Sequence, residues 1–146
     1  MSSGRQGFRR VLVAVDGSEV SLRATEHAAR IAKQDSAQLL ALHVVPAPPF
    51  EIVGELGEYY NTARRESKKW LKEVEAIAET KGLPLKVEVI VGAYSLVDAI
   101  IGYAETNSVD LIVSGTRGRT PSSKLLLGSV ASGLVEYATC AVLVIR

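Results

Sequence analysis

The chain predicts an α/β domain built on a largely parallel sheet, and three observations carry that expectation. Apolar runs of strand length alternate with longer stretches of helical periodicity, the pattern of repeated strand–helix units. The second apolar run is almost unbroken by polar residues, as suits a central strand covered on both faces. The fourth run leads into a basic loop punctuated by glycine, and that loop leads into a helix-like segment. Strand, loop and helix N-terminus in that order make an anion cradle, because the opening turn of a helix offers unpaired N–H groups and the positive end of its dipole.

The first strand is expected over Arg10 to Val15. A helix follows over roughly Val20 to Gln34, with Ser18 or Glu19 near its cap and Leu22, Ala28, Ala29 and Ile31 facing inward. The second strand is Gln38 to Val45, stopped by the prolines at 46, 48 and 49, and residues 46–57 read as an exposed loop. The second helix runs from about Glu58 to Lys81, with Ala63, Ser67, Leu71, Val74 and Ala78 as its buried stripe and Gly82 closing it. The third strand, Leu85 to Val91, alternates apolar and polar residues, which places it near a sheet edge. Ser95 and Asp98 form a capping box for a helix reaching Thr106. The fourth strand is expected at Val109 to Ser114, the fourth helix at Val130 to Tyr137 and the last strand at Ala141 to Ile145.

Length and composition bound the function. A chain of 146 residues fits a single domain of the usual size, roughly 100–150 residues. The net charge of +1 argues against a nucleic-acid surface, which needs a clustered basic field. No apolar run is long enough to span a membrane, and the opening residues 1–7, expected to be flexible, carry no signal-peptide pattern. The single cysteine excludes an internal disulfide and suits a reducing compartment, so a cytoplasmic protein is expected. Cys140 reads as a small packing residue.

The glycine spacing is specific. Gly115-x-x-Gly118, nine residues, then Gly128-Ser129 is neither a Walker A loop, which needs Lys-Ser/Thr after its second glycine, nor a Gly-x-Gly-x-x-Gly dinucleotide turn. With Val11 to Ser18 at the start and Thr139 to Arg146 at the end, this spacing resembles the ATP-binding branch of the universal stress protein family over residues 8–146. The resemblance implies an open parallel five-stranded sheet with helices on both faces in the order 3-2-1-4-5, a Rossmann-like, adenine nucleotide alpha hydrolase-like fold. That order puts strands one and four side by side at the switch point, where open α/β sheets bind ligands.

The resemblance further implies roles for particular residues. Asp16 would accept hydrogen bonds from a ribose hydroxyl or an adenine edge; read from the residues alone, it equally suits a turn or cap aspartate. The backbone of Val44 would face the adenine. Gly115, Gly118 and Gly128 would bring the loop backbone to the phosphates, with Arg117, Arg119 and Lys124 supplying charge. Read from the residues, Ser129, at or next to the N-cap of the fourth helix, can cap it and donate to a phosphate oxygen, with Val130 beside it. The expected ligand is ATP or a related adenine nucleotide such as AMP, with Mg2+ accompanying ATP. His43 is expected in the sheet as a hydrogen-bonded core residue, and Trp70, Tyr59 and Tyr60 as packing residues. Two positions depart from the family pattern. Ala131 stands where its nucleotide binders carry Ser or Thr, and Ala141 where proline is common.

The last strand lacks any charged guard, so an exposed edge there invites pairing with a second copy. The expected partner is a second chain in a C2 homodimer through Ala141 to Ile145, the mode the resemblance also implies. An unidentified protein partner would read the bound state. The leading expectation is an adenine-nucleotide-binding regulator acting in stress response. The alternatives are an interaction protein with a vestigial pocket and, third, a slow ATPase, since no poised general base is apparent.

Overall fold

The computed structural model describes residues 7–48, 56–117 and 127–146. Its elements run β1 (Arg10–Ala14), α1 (Glu19–Asp35), β2 (Gln38–Pro46), α2 (Leu56–Thr80), β3 (Leu85–Ala93), α3 (Leu96–Thr106), β4 (Leu111–Gly115), α4 (Ser129–Tyr137) and β5 (Ala141–Ile145). All neighbouring strands pair in parallel, in the order β3-β2-β1-β4-β5. The order implied by the resemblance is therefore the observed one.

Successive side chains of a strand point to opposite faces, so each central strand feeds two cores. Val11, Val13, Leu39, Ala41, Leu111 and Val113 meet the inner faces of α1 and α2. Leu12, Leu40, Leu42, Val44 and Ile112 meet α3 and α4. On α1 the buried positions are small: Ser21, Ala24, Thr25, Ala28, Ala29 and Ala32. Leu22 and Ile31, expected to be inward, are half-buried and flank this stripe. The stripe of α2 is seated as expected at Ser67, Leu71, Val74 and Ala78, with Ala63 half-buried.

Local chemistry sets the element ends. Ser18 caps α1, its Oγ accepting from the Ser21 N–H at 3.1 Å, and Ser95 caps α3 through the Asp98 N–H, also at 3.1 Å. Gly82 takes φ +65° after α2, and Leu83 N–H returns to the Ala78 carbonyl at 3.0 Å, the left-handed closure that favours glycine. β4 starts two residues later than Val109, the expected start. The Val109 N–H is held by the Ala104 carbonyl at 2.8 Å as α3 ends, and the Asp110 carboxylate accepts the Arg9 and Arg10 N–H groups. β3 is an edge strand, as its alternation predicts, yet all of it but Lys86 is at least half-buried.

Candidate functional site

The carboxyl ends of β1, β2 and β4 converge on one cleft of about 980 Å³, within the size range of small-molecule sites. It lies at the β1/β4 switch point, walled by α2 on one side and by α3 and the first turn of α4 on the other. Asp16, Val44, Gly115, Arg117, Gly128, Ser129 and Val130 all line it. Residues more than a hundred apart in sequence thus meet at one place. Gly118, Arg119 and Lys124 lie outside the described residues.

Asp16 fills its turn role and keeps one oxygen over. Its Oδ1 accepts from the Ser18 N–H at 3.0 Å and from the Ser18 hydroxyl at 2.6 Å. Its own N–H points at Ser21 Oγ, 3.4 Å away. Among the described residues nothing donates to Oδ2, and Asp16 borders the cleft. Turn and ligand roles are therefore compatible.

Val44 is placed by strand register. β1 pairs with β2 only as far as Ala14 opposite Leu42, and the Val15 N–H donates to the Leu42 carbonyl at 2.9 Å. Backbone groups alternate sides along a strand, so Val44 turns its N–H and C=O the same way as Leu42, where β1 has already ended. His43 lies between them. Its Nδ1 contacts the Val15 carbonyl at 2.9 Å; a carbonyl only accepts, so this nitrogen carries the proton. The ring meets Trp70 edge to face, centroids 4.7 Å apart, in keeping with the packing role expected for it.

Gly115 is needed for space rather than for positive φ. Among the described glycines, positive φ belongs to Gly17, Gly82 and Gly92, and Gly115 and Gly128 do not take it. A Cβ on Gly115 would run into the Val20 side chain and stand 3.3 Å from the Arg117 carbonyl oxygen. Gly128, not Ser129, is the N-cap residue of α4, at φ −70° with no side-chain cap bond. Its N–H donates to the Thr116 carbonyl at 2.6 Å, while Thr116 N–H reaches the Ile145 carbonyl at 2.7 Å. The two ends of the glycine loop are thereby pinned to each other and to the end of β5. The Gly128 amide is consumed, and the next N–H groups, at Ser129 to Ala131, lack a helical acceptor and open at the cleft. Ala131 is buried there and brings a methyl group rather than a hydroxyl.

The α2 wall of the cleft is not apparent from the sequence motifs. Glu58, Tyr59, Thr62, Glu66 and Trp70 line the cleft, and the signal that could have found them is their helical spacing on one face. Trp70 also lies against Gly17, where a Cβ would stand 2.8 Å from the indole nitrogen. Away from the cleft, Cys140 packs against the α3/α4 core, and burial, with the nearby Asp110 carboxylate, raises its thiol pKa. It is a packing residue, as expected. No cluster of His, Cys, Asp and Glu suited to a metal occurs among the described residues, and no described helix is long and apolar enough to cross a membrane.

The model of the universal stress protein family matches residues 7–146. A universal stress protein of Methanocaldococcus jannaschii is 35% identical over 99% of this chain and 85% of its own. The solved universal stress protein UspA of Lactobacillus plantarum superposes with a TM-score of 0.86 at 29% identity, covering 97% of this chain and 100% of that one. A universal stress protein solved in complex with cAMP reaches a TM-score of 0.72 at 26% identity over 97% and 98% of the two chains.

Proposed function

Since the chain belongs to the universal stress protein family, we propose that it is an adenine-nucleotide-binding regulatory module. Its ligand is ATP or AMP, held over the ends of β1 and β4. The observation that carries this reading is the convergence of Asp16, the open backbone of Val44 and the first turn of α4 on one cleft. An apolar rim from Leu42, Leu96 and Ile100 takes the base. The α4 amides and Arg117 take the phosphates, because a helix N-terminus and a guanidinium both favour anions. Gly118, Ser129 and Val130 complete the phosphate end, and Mg2+ accompanies ATP. The cAMP complex of a relative with 26% identity supports a nucleotide of this class. The protein acts in the cytoplasm in stress response, as a nucleotide-gated regulator rather than a fast enzyme.

Dimerisation belongs to the same reading. β5 is an edge strand of apolar, half-exposed residues, and beside it Val135 and Tyr137 of α4 are exposed. Pairing β5 with that of a second copy covers this edge in a C2 dimer. Titration calorimetry with Mg-ATP and with AMP tests the nucleotide claim: saturable heat is expected, and no heat together with no thermal stabilisation at millimolar ligand refutes it. One observation favours a rival, an interaction protein with a vestigial pocket, namely the methyl group of Ala131 where a phosphate-binding hydroxyl would stand. ATP co-purifying with the protein decides against that rival.

A further inference from the structure

The cleft is electrically lopsided. Its β4–α4 end carries Arg117 and the unpaired amides of the first helical turn, whereas the α2 wall carries Glu58 and Glu66, with Thr62 between them and Asp16 at the floor. Positions 58, 62 and 66 are one helical turn apart, so they form a single row overhanging the strand ends. Neither Glu58 nor Glu66 has an ion-pair partner among the described residues. Among the described lining residues, Arg117 is the sole Lys or Arg, against the carboxylates Asp16, Glu58 and Glu66. An adenine nucleotide held with base over Val44 and phosphates at α4 bridges the two ends with its sugar, above Asp16. The α2 wall, with Glu58, Thr62 and Glu66, borders the space such a sugar would occupy.

Resting on the nucleotide-binding reading above, we propose that Glu58 and Glu66 are specificity-determining residues, selecting 5′-phosphorylated adenosines whose 2′- and 3′-hydroxyls are free. Hydroxyls donate hydrogen bonds to carboxylates. A phosphate ester at the 3′ oxygen offers no donor and brings negative charge toward three carboxylates. Both glutamates are exposed, so water and salt screen this repulsion. Two charges about 8 Å apart at an effective dielectric constant near 40 interact by about 1 kcal/mol, which corresponds to about a fivefold change in affinity. The discrimination expected from both glutamates is about three- to tenfold, weakening as ionic strength rises.

The test compares AMP with adenosine 3′,5′-bisphosphate by calorimetry on the full chain. The readout is the ratio of their two dissociation constants, for the unaltered protein, for the double variant Glu58→Gln/Glu66→Gln, and for Glu73→Gln on the exposed face of α2 away from the cleft. The ratio should favour AMP by about three- to tenfold, should fall toward one in the double variant and in 0.5 M salt, where the Debye length is about 4 Å, and should not move in Glu73→Gln. Equal binding of the two ligands by the unaltered protein, or an unchanged ratio in the double variant, overturns the specificity claim and leaves the nucleotide reading standing. If neither ligand binds at millimolar concentration, both fall together. Comparable melting temperatures for the three proteins separate a specificity effect from a loss of fold.

Discussion

Ala131→Ser returns a hydroxyl to the place where the phosphates of a nucleotide would meet α4, and its effect can be worked from the structure. Ala131 is 2% exposed, lines the cleft and is the third residue after the N-cap Gly128. It therefore sits among the amides that have no helical acceptor. A hydrogen bond to a charged group contributes about 1.5–3 kcal/mol. Against this stand the lower helix propensity of serine, about 0.5 kcal/mol, and the cost of fixing one rotamer. The net gain is about 1–2 kcal/mol, equivalent to about five- to thirtyfold in affinity at about 1.4 kcal/mol per decade. Calorimetry with ATP reads it directly, and the ligand-induced rise in melting temperature should grow in step, since a tighter ligand stabilises the fold further. An affinity within twofold of the unaltered protein, with the variant folded and still binding, refutes the placement of the phosphates at the α4 turn.

Gly17→Ala combines a left-handed φ of +85° with a Cβ 2.8 Å from the Trp70 indole nitrogen. It should destabilise by about 2 kcal/mol or more in urea unfolding, and an unchanged midpoint would contradict the turn geometry. Trp70 is the only tryptophan of the chain and lines the cleft, so nucleotide should change its fluorescence along the calorimetric isotherm; saturation without a spectral change would move the ligand elsewhere. Val144→Lys puts a charge on β5 and should shift light scattering from dimer to monomer at micromolar concentration. A monomer before substitution would remove the β5 dimer altogether. Ile112→Ala hollows the centre of the α3/α4-side core, where Ile112 is fully buried, and should cost about 2–5 kcal/mol; a loss below 1 kcal/mol would be at odds with that packing.

The alternation of apolar runs and helical stripes determined the elements and their order, because burial periodicity is written in consecutive residues. β5 was read at its observed limits, Ala141–Ile145, and the serine caps of α1 and α3 were likewise legible, since a cap acts within one turn. The glycine spacing marked the region of the cleft for the same reason: it is local. The strand order came from family resemblance, as no local rule dictates which parallel strands adjoin. Only the tertiary structure decided why Gly115 must be glycine, since the obstacle is Val20, a residue of another element. It also decided that the Gly128 amide is spent on Thr116, and that α2 lends Glu58, Glu66 and Trp70 to the cleft. A helical face records that it is buried or polar, but which cavity it borders depends on how α2 settles across the ends of β1 and β2. That is set by packing between residues far apart in the chain.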